Sequence, residues 1–191
     1  EVYGEGIFLS FEKSMIGTWE TGTEVSNRAR ILADRTADSF RSAWLPSPTA
    51  RLLMLHTFSH MLIRQLTYEC GYSSAALRER IYSSDSGVPG DMAGILIYTS
   101  SGDSEGTLGG LVRQATPETL ERLIVNALDR ASWCSNDPVC SEIPGQGIDA
   151  LNLAACHACA LVPETSCCYG NCLLDRAVVL STLENGQGFM D

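Results

Sequence analysis

The sequence predicts an α/β or α+β fold, in which a small sheet is wrapped by helices and a four-cysteine zinc knuckle lies near the C-terminal end. Three observations lead to this prediction. Residues 93–99 form a short apolar run rich in β-branched and aromatic side chains, which is typical of a buried strand. Residues 49–69 carry leucines at helical spacing, and seven of the eight cysteines lie within residues 133–172.

The other elements follow from local patterns along the chain. Residues 2–11 alternate between apolar and polar side chains and predict a strand. Residues 23–43 predict an arginine-dotted amphipathic helix, and Pro46-Ser47-Pro48 marks a break before the long helix at 49–69. The remaining predictions are a segment that is ambiguous between helix and strand at 72–84, and helices at 117–132, 149–155 and 171–184.

We expect one compact domain with two parts, an α/β core region at 1–132 and a cysteine-rich zinc-binding region with a terminal helix at 133–191. The chain starts without Met and directly in strand-like alternation, so we interpret it as a fragment of a larger protein. No apolar run approaches the roughly 18–20 residues that a membrane span needs. We therefore expect no membrane contact and a cytoplasmic location.

The charge of the chain limits its possible partners. A formal net charge of −10 opposes free-standing binding to nucleic acid, because neutralising phosphates dominates that affinity. No lysine or arginine occurs between residues 131 and 175. Contact with DNA or a partner would therefore use Arg78, Arg80 or the region from Arg28 to Arg64. For Arg78 and Arg80 we favour neutralisation of carboxylates within so acidic a chain, and contact with the DNA backbone is the alternative.

The cysteines are spaced for metal binding. Cys156 and Cys159 form a C-x2-C turn, whose two thiolates can reach one metal ion. A second pair from upstream or downstream would complete a tetrahedral site. Disulfides are the alternative, but clustering beside a large cysteine-poor region fits a reduced zinc protein better. Ligation by four thiolates leaves no open position, so one such zinc would be structural.

His56 and His60 are separated by four residues on the predicted long helix, a spacing that can hold a metal. The Glu of a His-Glu-x-x-His protease motif is absent, since Thr57 and Phe58 follow His56. We favour histidines that are hydrogen-bonded at a helix interface, and the alternative is a metal-dependent hydrolase or nuclease. The glycine-rich segment 100–111 lacks a Walker motif, and we interpret it as a structural turn rather than a phosphate site.

Five blocks of sequence, occurring in the same order, carry a resemblance that covers nearly the whole chain. Together they resemble the C-terminal zinc-binding domain of the DrmB-like proteins of bacterial DISARM anti-phage systems, which is related to that of MrfA-type DNA-repair helicases. The blocks are His56–Arg64 (HTFSHMLIR), Gly71–Tyr82 (GYSSAALRERIY), Asp103–Leu111 (DSEGTLGGL), Trp133–Cys140 (WCSNDPVC) and Asn152–Cys159 (NLAACHAC).

The resemblance implies a non-catalytic zinc-binding module that acts with a DrmA-like helicase partner on foreign DNA. By position, Cys156 and Cys159 match the C-x2-C of the MrfA-type pattern, while Cys134 and Cys140 stand where its first pair belongs. The wider gap between the pairs departs from that pattern and leaves Cys167 as a competing ligand. An accessory domain of a stand-alone helicase is a further alternative, which would require ATPase motifs elsewhere in the protein.

Overall fold

The computed structural model describes residues 4–73, 75–84, 91–99, 110–181 and 187–191. It shows a three-stranded sheet with helices, and this α+β arrangement confirms the predicted fold class. The strands are β1 (Gly6–Ser10), β2 (Leu77–Ser83) and β3 (Ala93–Thr99). The helices are α1 (Lys13–Trp19), α2 (Thr23–Asp38), α3 (Ala50–Cys70), α4 (Gly110–Arg113), α5 (Pro117–Ala131) and α6 (Val139–Glu142).

The sheet has the order β1-β3-β2, and both outer strands run antiparallel to β3. β3 has the predicted bounds, since its run of apolar residues is buried at the centre of the sheet. The ambiguous segment at 72–84 contains β2, in which buried Leu77 and Glu79 alternate with exposed Arg78 and Arg80. This alternation points Glu79 toward the core and both arginines toward solvent.

Helix α3 is the centre of the molecule. Its first turn is capped by the Thr49 side chain, which accepts a hydrogen bond from the Leu52 N–H at 3.1 Å. It ends at Cys70 and is followed by Gly71, whose φ of 73° is a left-handed conformation that favours glycine. Every residue from Ala50 to Leu66 is buried except Arg64, because the helix packs against the sheet and α5. The buried set includes polar side chains, which therefore need partners inside the protein.

The other predicted helices of the first part are largely confirmed. α5 starts with Pro117 at its first position and matches the prediction at 117–132. The helix predicted at 23–43 is α2, which ends at Asp38 and is followed by a 3₁₀ turn at Phe40–Ala43. α1 had no counterpart among the predictions. None of the helices in the described part of the chain combines the length and the apolar composition of a transmembrane span.

Two predicted helices in the cysteine-rich region are wrong. The segment 149–155 contains only a 3₁₀ turn at Ile148–Ala150, in which Asp149 has a φ of 54°. The segment 171–184 contains a 3₁₀ turn at Arg176–Val178 as far as residue 181, and residues 182–184 lie outside the described part. Asn171 and Leu173 have φ values of 58° and 63°, which a right-handed helix cannot include.

These two irregular segments lie side by side instead of forming helices. The Leu153 N–H donates to the Leu174 carbonyl at 3.0 Å, and the Leu173 N–H donates to the Leu151 carbonyl at 2.8 Å. Pairing with each other satisfies the backbone groups that a helix would otherwise satisfy internally. The glycine-rich segment predicted as a turn at 100–111 lies outside the described residues up to 109, and α4 begins at Gly110.

Candidate metal centres

The sulfur atoms of Cys134, Cys140, Cys156 and Cys159 all lie within 4.8 Å of one another. The separations are 3.5 Å between Cys134 and Cys156, 3.7 Å between Cys140 and Cys159, and 3.8 Å between Cys156 and Cys159. Tetrahedral zinc with Zn–S bonds of about 2.3 Å requires sulfurs about 3.8 Å apart. A disulfide requires about 2 Å, and all four cysteines are free. The four-cysteine cluster therefore has the dimensions of a zinc site.

Each sulfur of the four-cysteine cluster accepts a hydrogen bond from nitrogen. Asn136 donates its backbone N–H to Cys134 and its side-chain amide to Cys156, both at 3.4 Å. The Gln146 amide donates to Cys140 at 3.5 Å, and the Cys156 N–H donates to Cys159 at 3.4 Å. Such donors stabilise thiolates, which are the form that binds zinc. The hydrogen bond between Cys140 and Cys159 lowers the pKa of Cys140 and raises that of Cys159, and burial raises the pKa of Cys134, so Cys140 is the sulfur that loses its proton most easily.

Two arginines hold the loops that carry these cysteines. Arg64 of α3 donates to three backbone carbonyls of the C-x2-C loop, those of His157, Ala158 and Leu161. Arg176 donates to both carboxylate oxygens of Asp137 at 2.8 Å. Asp137 in turn accepts the Cys134 N–H at 2.7 Å. The positions of both cysteine pairs are thus set by residues outside the pairs, as is usual for metal sites.

A second group of potential ligands lies beside α3. The ligand atoms of His56, His60, Glu79 and Cys167 also lie within 4.8 Å of one another. One Glu79 oxygen is 3.0 Å from His56 Nε2 and 3.3 Å from His60 Nε2, and Cys167 Sγ is 3.2 Å from His56 Nε2. Both histidines and Glu79 have fully buried side chains. Burial lowers the pKa of His60, and the charge of Glu79 together with hydrogen bonds to Cys167 and Glu79 raises it, so the surroundings of His60 Nε2 favour a bound cation, either a proton or a metal ion.

Comparison with known protein families shows which family this chain belongs to. The model of the MrfA Zn-binding domain matches residues 58–160, a range that includes more than half of the chain and the whole four-cysteine cluster. The chain belongs to the MrfA Zn-binding domain family. It is also 42% identical over 194 residues to the DISARM protein DrmB of Bacillus paralicheniformis, an alignment that covers 97% of this chain. The chain spans 33% of the length of that relative.

This MrfA Zn-binding domain brings together the four cysteines that sequence reasoning selected as ligands. A zinc-binding family and a four-cysteine cluster agree with the predicted structural zinc. The competing ligand, Cys167, is placed in the second cluster and not with the four cysteines. The identity of the ligands themselves stays a prediction.

The arginines considered for DNA or partner contact fall into two classes. Arg78 and Arg80 are exposed on β2, and neither forms an ion pair with any described residue, so the carboxylate neutralisation considered for them is not seen. Arg28 instead binds Asp175, whose side chain is fully buried, and Arg64 binds the C-x2-C loop. The region from Arg28 to Arg64 thus contributes at least two structural arginines.

Sequence reasoning missed Glu79 and Arg64. Glu79 occupies an inward position of β2 between Leu77 and Ile81, and an acidic residue in the buried phase of a strand indicates a buried partner. That signal could be used only if β2 were recognised as a strand. Arg64 gives no comparable signal, because its three carbonyl partners lie more than 90 residues away along the chain.

Proposed function

We propose that this chain is a zinc-stabilised, non-catalytic domain of a DrmB-like component of a bacterial anti-phage defence complex. In this proposal Cys134, Cys140, Cys156 and Cys159 hold one structural zinc ion, and the domain contacts a helicase subunit and contributes to DNA engagement. The observation that carries it is the convergence of four sulfurs, each with its own N–H donor, within a family of zinc-binding domains. The 42% identity to a DISARM protein supports the defence system.

The geometry of the four-cysteine cluster supports a structural role for the metal. Four thiolates fill all four positions of tetrahedral zinc, and a catalytic zinc keeps one position open for water or substrate. Cys134, Cys140 and Cys159 are less than 9% exposed. The cluster joins the segment 134–140 to the segment 156–159, neither of which contains a long regular element. Metal binding therefore supplies folding energy to this region.

All eight cysteines are free in the structure, including the four in the cluster. Zinc thiolates and free thiols persist where the environment is reducing. We therefore place the protein in the cytoplasm, where it would also meet incoming phage DNA.

The nuclease alternative is less well supported. His56 and His60 are 0% exposed, so a phosphodiester could not reach them without opening of the core. A hydrolytic metal also needs an accessible position for water. The second candidate is a domain of an MrfA-type helicase, which the family match favours.

The surface that supports DNA or partner contact is the outer face of the sheet. Arg78 and Arg80 project from the edge strand β2, and Phe8 of β1 is 57% exposed on the same side, in edge contact with Tyr82. Arginines beside exposed aromatic rings can bind phosphates and stack on bases. Because the chain carries a net charge of −10, we propose that DNA binds through the complex and not to this domain alone.

Reversing the charge of this face tests the proposal. We expect Arg78→Glu/Arg80→Glu in the full-length protein to weaken DNA binding by its complex with the helicase subunit. The slope of log affinity against log salt should fall by roughly 0.9 for each lost phosphate contact with duplex DNA. The matched control is Lys13→Glu/Arg30→Glu, which reverses two exposed cations on α1 and α2.

Binding should be measured by fluorescence anisotropy at several salt concentrations, and retention of the helicase subunit by affinity purification. Loss of DNA binding with the helicase retained assigns the face to DNA, and loss of the helicase assigns it to the partner. Equal behaviour of the Arg78/Arg80 variant and the control would refute a role of this face in either contact.

A further inference from the structure

We propose that His56, His60, Glu79 and Cys167 form a second zinc site, separate from the four-cysteine cluster, in which two imidazole nitrogens, one carboxylate oxygen and one thiolate hold a structural ion. The proposal rests on the direction of the hydrogen bonds around these side chains. Their ligand atoms lie within 4.8 Å of one another, and three of the four side chains are completely buried.

The backbone determines which nitrogen of each histidine faces the cluster. His56 Nδ1 is 3.1 Å from the Leu173 carbonyl oxygen, and His60 Nδ1 is 2.9 Å from the Ala160 carbonyl oxygen. A carbonyl oxygen only accepts hydrogen bonds, so both Nδ1 atoms carry the proton. In the neutral imidazoles both Nε2 atoms then present lone pairs to the same point. This is the arrangement of histidine ligands in metal sites, where a backbone carbonyl commonly fixes the tautomer.

The centre between these groups has more acceptors than donors. Both Nε2 lone pairs face one oxygen of Glu79, which also accepts the Cys168 N–H at 3.2 Å. The second oxygen of Glu79 is buried and has no hydrogen-bond partner among the described residues. A proton on each imidazole would set two buried cations against one carboxylate, whereas a single proton between His60 and Glu79 would leave only the Cys167 thiol to donate to His56 Nε2. One divalent cation satisfies all of these acceptors.

Cys167 has the environment of a thiolate ligand. Its sulfur accepts the Tyr169 N–H at 3.3 Å and the Asn171 N–H at 3.2 Å. Cys134 in the four-cysteine cluster accepts an N–H from the second residue after it in the same way, at 3.4 Å. Backbone donors stabilise a negative sulfur, and a bound cation would stabilise it further. The sulfur also lies 3.2 Å from His56 Nε2.

The ligand set and its dimensions fit zinc. Imidazole, carboxylate and thiolate together are ligands that Zn²⁺ accepts in tetrahedral sites. Bonds of about 2.0–2.1 Å to nitrogen and oxygen and about 2.3 Å to sulfur require separations of about 3.3 Å and about 3.6 Å. The observed values are 3.0 and 3.3 Å between nitrogen and oxygen, and 3.2 Å between nitrogen and sulfur. With four protein ligands in the core, no position is open for a substrate.

The position of the site explains why buried polar side chains occur on the most buried helix. The site joins α3 through His56 and His60, β2 through Glu79 and the cysteine-rich region through Cys167. The four-cysteine cluster holds only segments of the cysteine-rich region to each other. The second ion would therefore attach that region to the sheet and to α3, which the first ion cannot do.

Metal content tests the proposal. The full-length protein is purified without added metal, and zinc per chain is measured by mass spectrometry for the wild type, Cys167→Ser, Glu79→Gln and Cys140→Ser. Cys70→Ser is the control, since Cys70 lies on α3 outside both clusters. We expect each of the three site variants to lose one zinc and the control to lose none. Mean sulfur coordination per zinc, from X-ray absorption, should rise in Cys167→Ser and fall in Cys140→Ser.

The outcomes separate the two sites. Loss of zinc in Cys140→Ser, together with full retention in Cys167→Ser and Glu79→Gln, overturns the second site and leaves the four-cysteine proposal standing. Retention in Cys140→Ser with loss in Cys167→Ser would instead refute the four-cysteine site alone. If the variants do not fold, X-ray absorption of the unmodified protein is the deciding measurement. Nitrogen and oxygen scattering around zinc supports the second site, and sulfur alone refutes it.

Discussion

Asp137 connects the four-cysteine cluster to the core, and its replacement by asparagine should affect both stability and zinc binding. Both of its carboxylate oxygens accept hydrogen bonds from Arg176 at 2.8 Å, and one also accepts the Cys134 N–H at 2.7 Å. The Arg176 side chain is 1% exposed and that of Asp137 is 28% exposed. The two members of this ion pair therefore differ strongly in their access to water.

This difference in exposure determines how much stability is lost when either member of the ion pair is replaced. Asp137→Asn leaves the guanidinium of Arg176 in the core without its counterion, and losing one partner of a buried pair costs roughly 3–5 kcal/mol. We expect about 3 kcal/mol, because Arg176 keeps its hydrogen bond to the Ala131 carbonyl at 3.0 Å. Arg176→Met leaves a carboxylate that water can reach, so its cost should be smaller, about 2 kcal/mol.

The same substitution should weaken zinc binding, because Asp137 positions the backbone of Cys134. Loss of a residue that orients a metal ligand lowers affinity by about 10–100-fold. Stability is measured by urea unfolding of the zinc-loaded protein, and affinity by competition with a chromophoric chelator. Asp129→Asn, an exposed carboxylate at the end of α5, is the matched control. A larger loss of stability in Arg176→Met than in Asp137→Asn, or unchanged zinc affinity in Asp137→Asn, would refute this reasoning.

Two further changes test the core. Asp175→Asn removes the charge of a fully buried carboxylate that pairs with Arg28. It should destabilise the protein by roughly 3–5 kcal/mol in urea unfolding. The control is Asp34→Asn in the exposed pair with Arg30, which should change the free energy of unfolding by less than about 0.5 kcal/mol. Equal effects of the two substitutions would contradict the burial of the Asp175 carboxylate. Leu53→Ala, at a position of α3 with 0% exposure, should cost about 2–5 kcal/mol in the same assay. A loss of stability below about 1 kcal/mol would contradict tight packing of the core around Leu53.

The elements that could be predicted from the sequence are those with a local periodic pattern. β3 has the predicted bounds, and α3 and α5 agree with their predictions to within one residue at each end. The two helices carry apolar side chains at helical spacing, β3 is a short apolar run, and Thr49, Gly71 and Pro117 mark the helix ends. The predictions at 149–155 and 171–184 failed because left-handed residues such as Asp149 and Leu173 interrupt any helix there. Neither residue is a glycine, the residue type from which a left-handed conformation could have been predicted.

The candidate sites also have one part that could be predicted from the sequence and one part that could not. The C-x2-C spacing of Cys156 and Cys159 is a local property, so the sequence by itself determined that this region binds metal and belongs to a zinc-binding family. Only the tertiary structure decided that Cys167 lies with His56, 111 residues away, and not with the other cysteines. It also decided that Glu79 points inward. The reason is physical, because packing of α3 against β2 and the loops sets these distances, and no local pattern of residues encodes them.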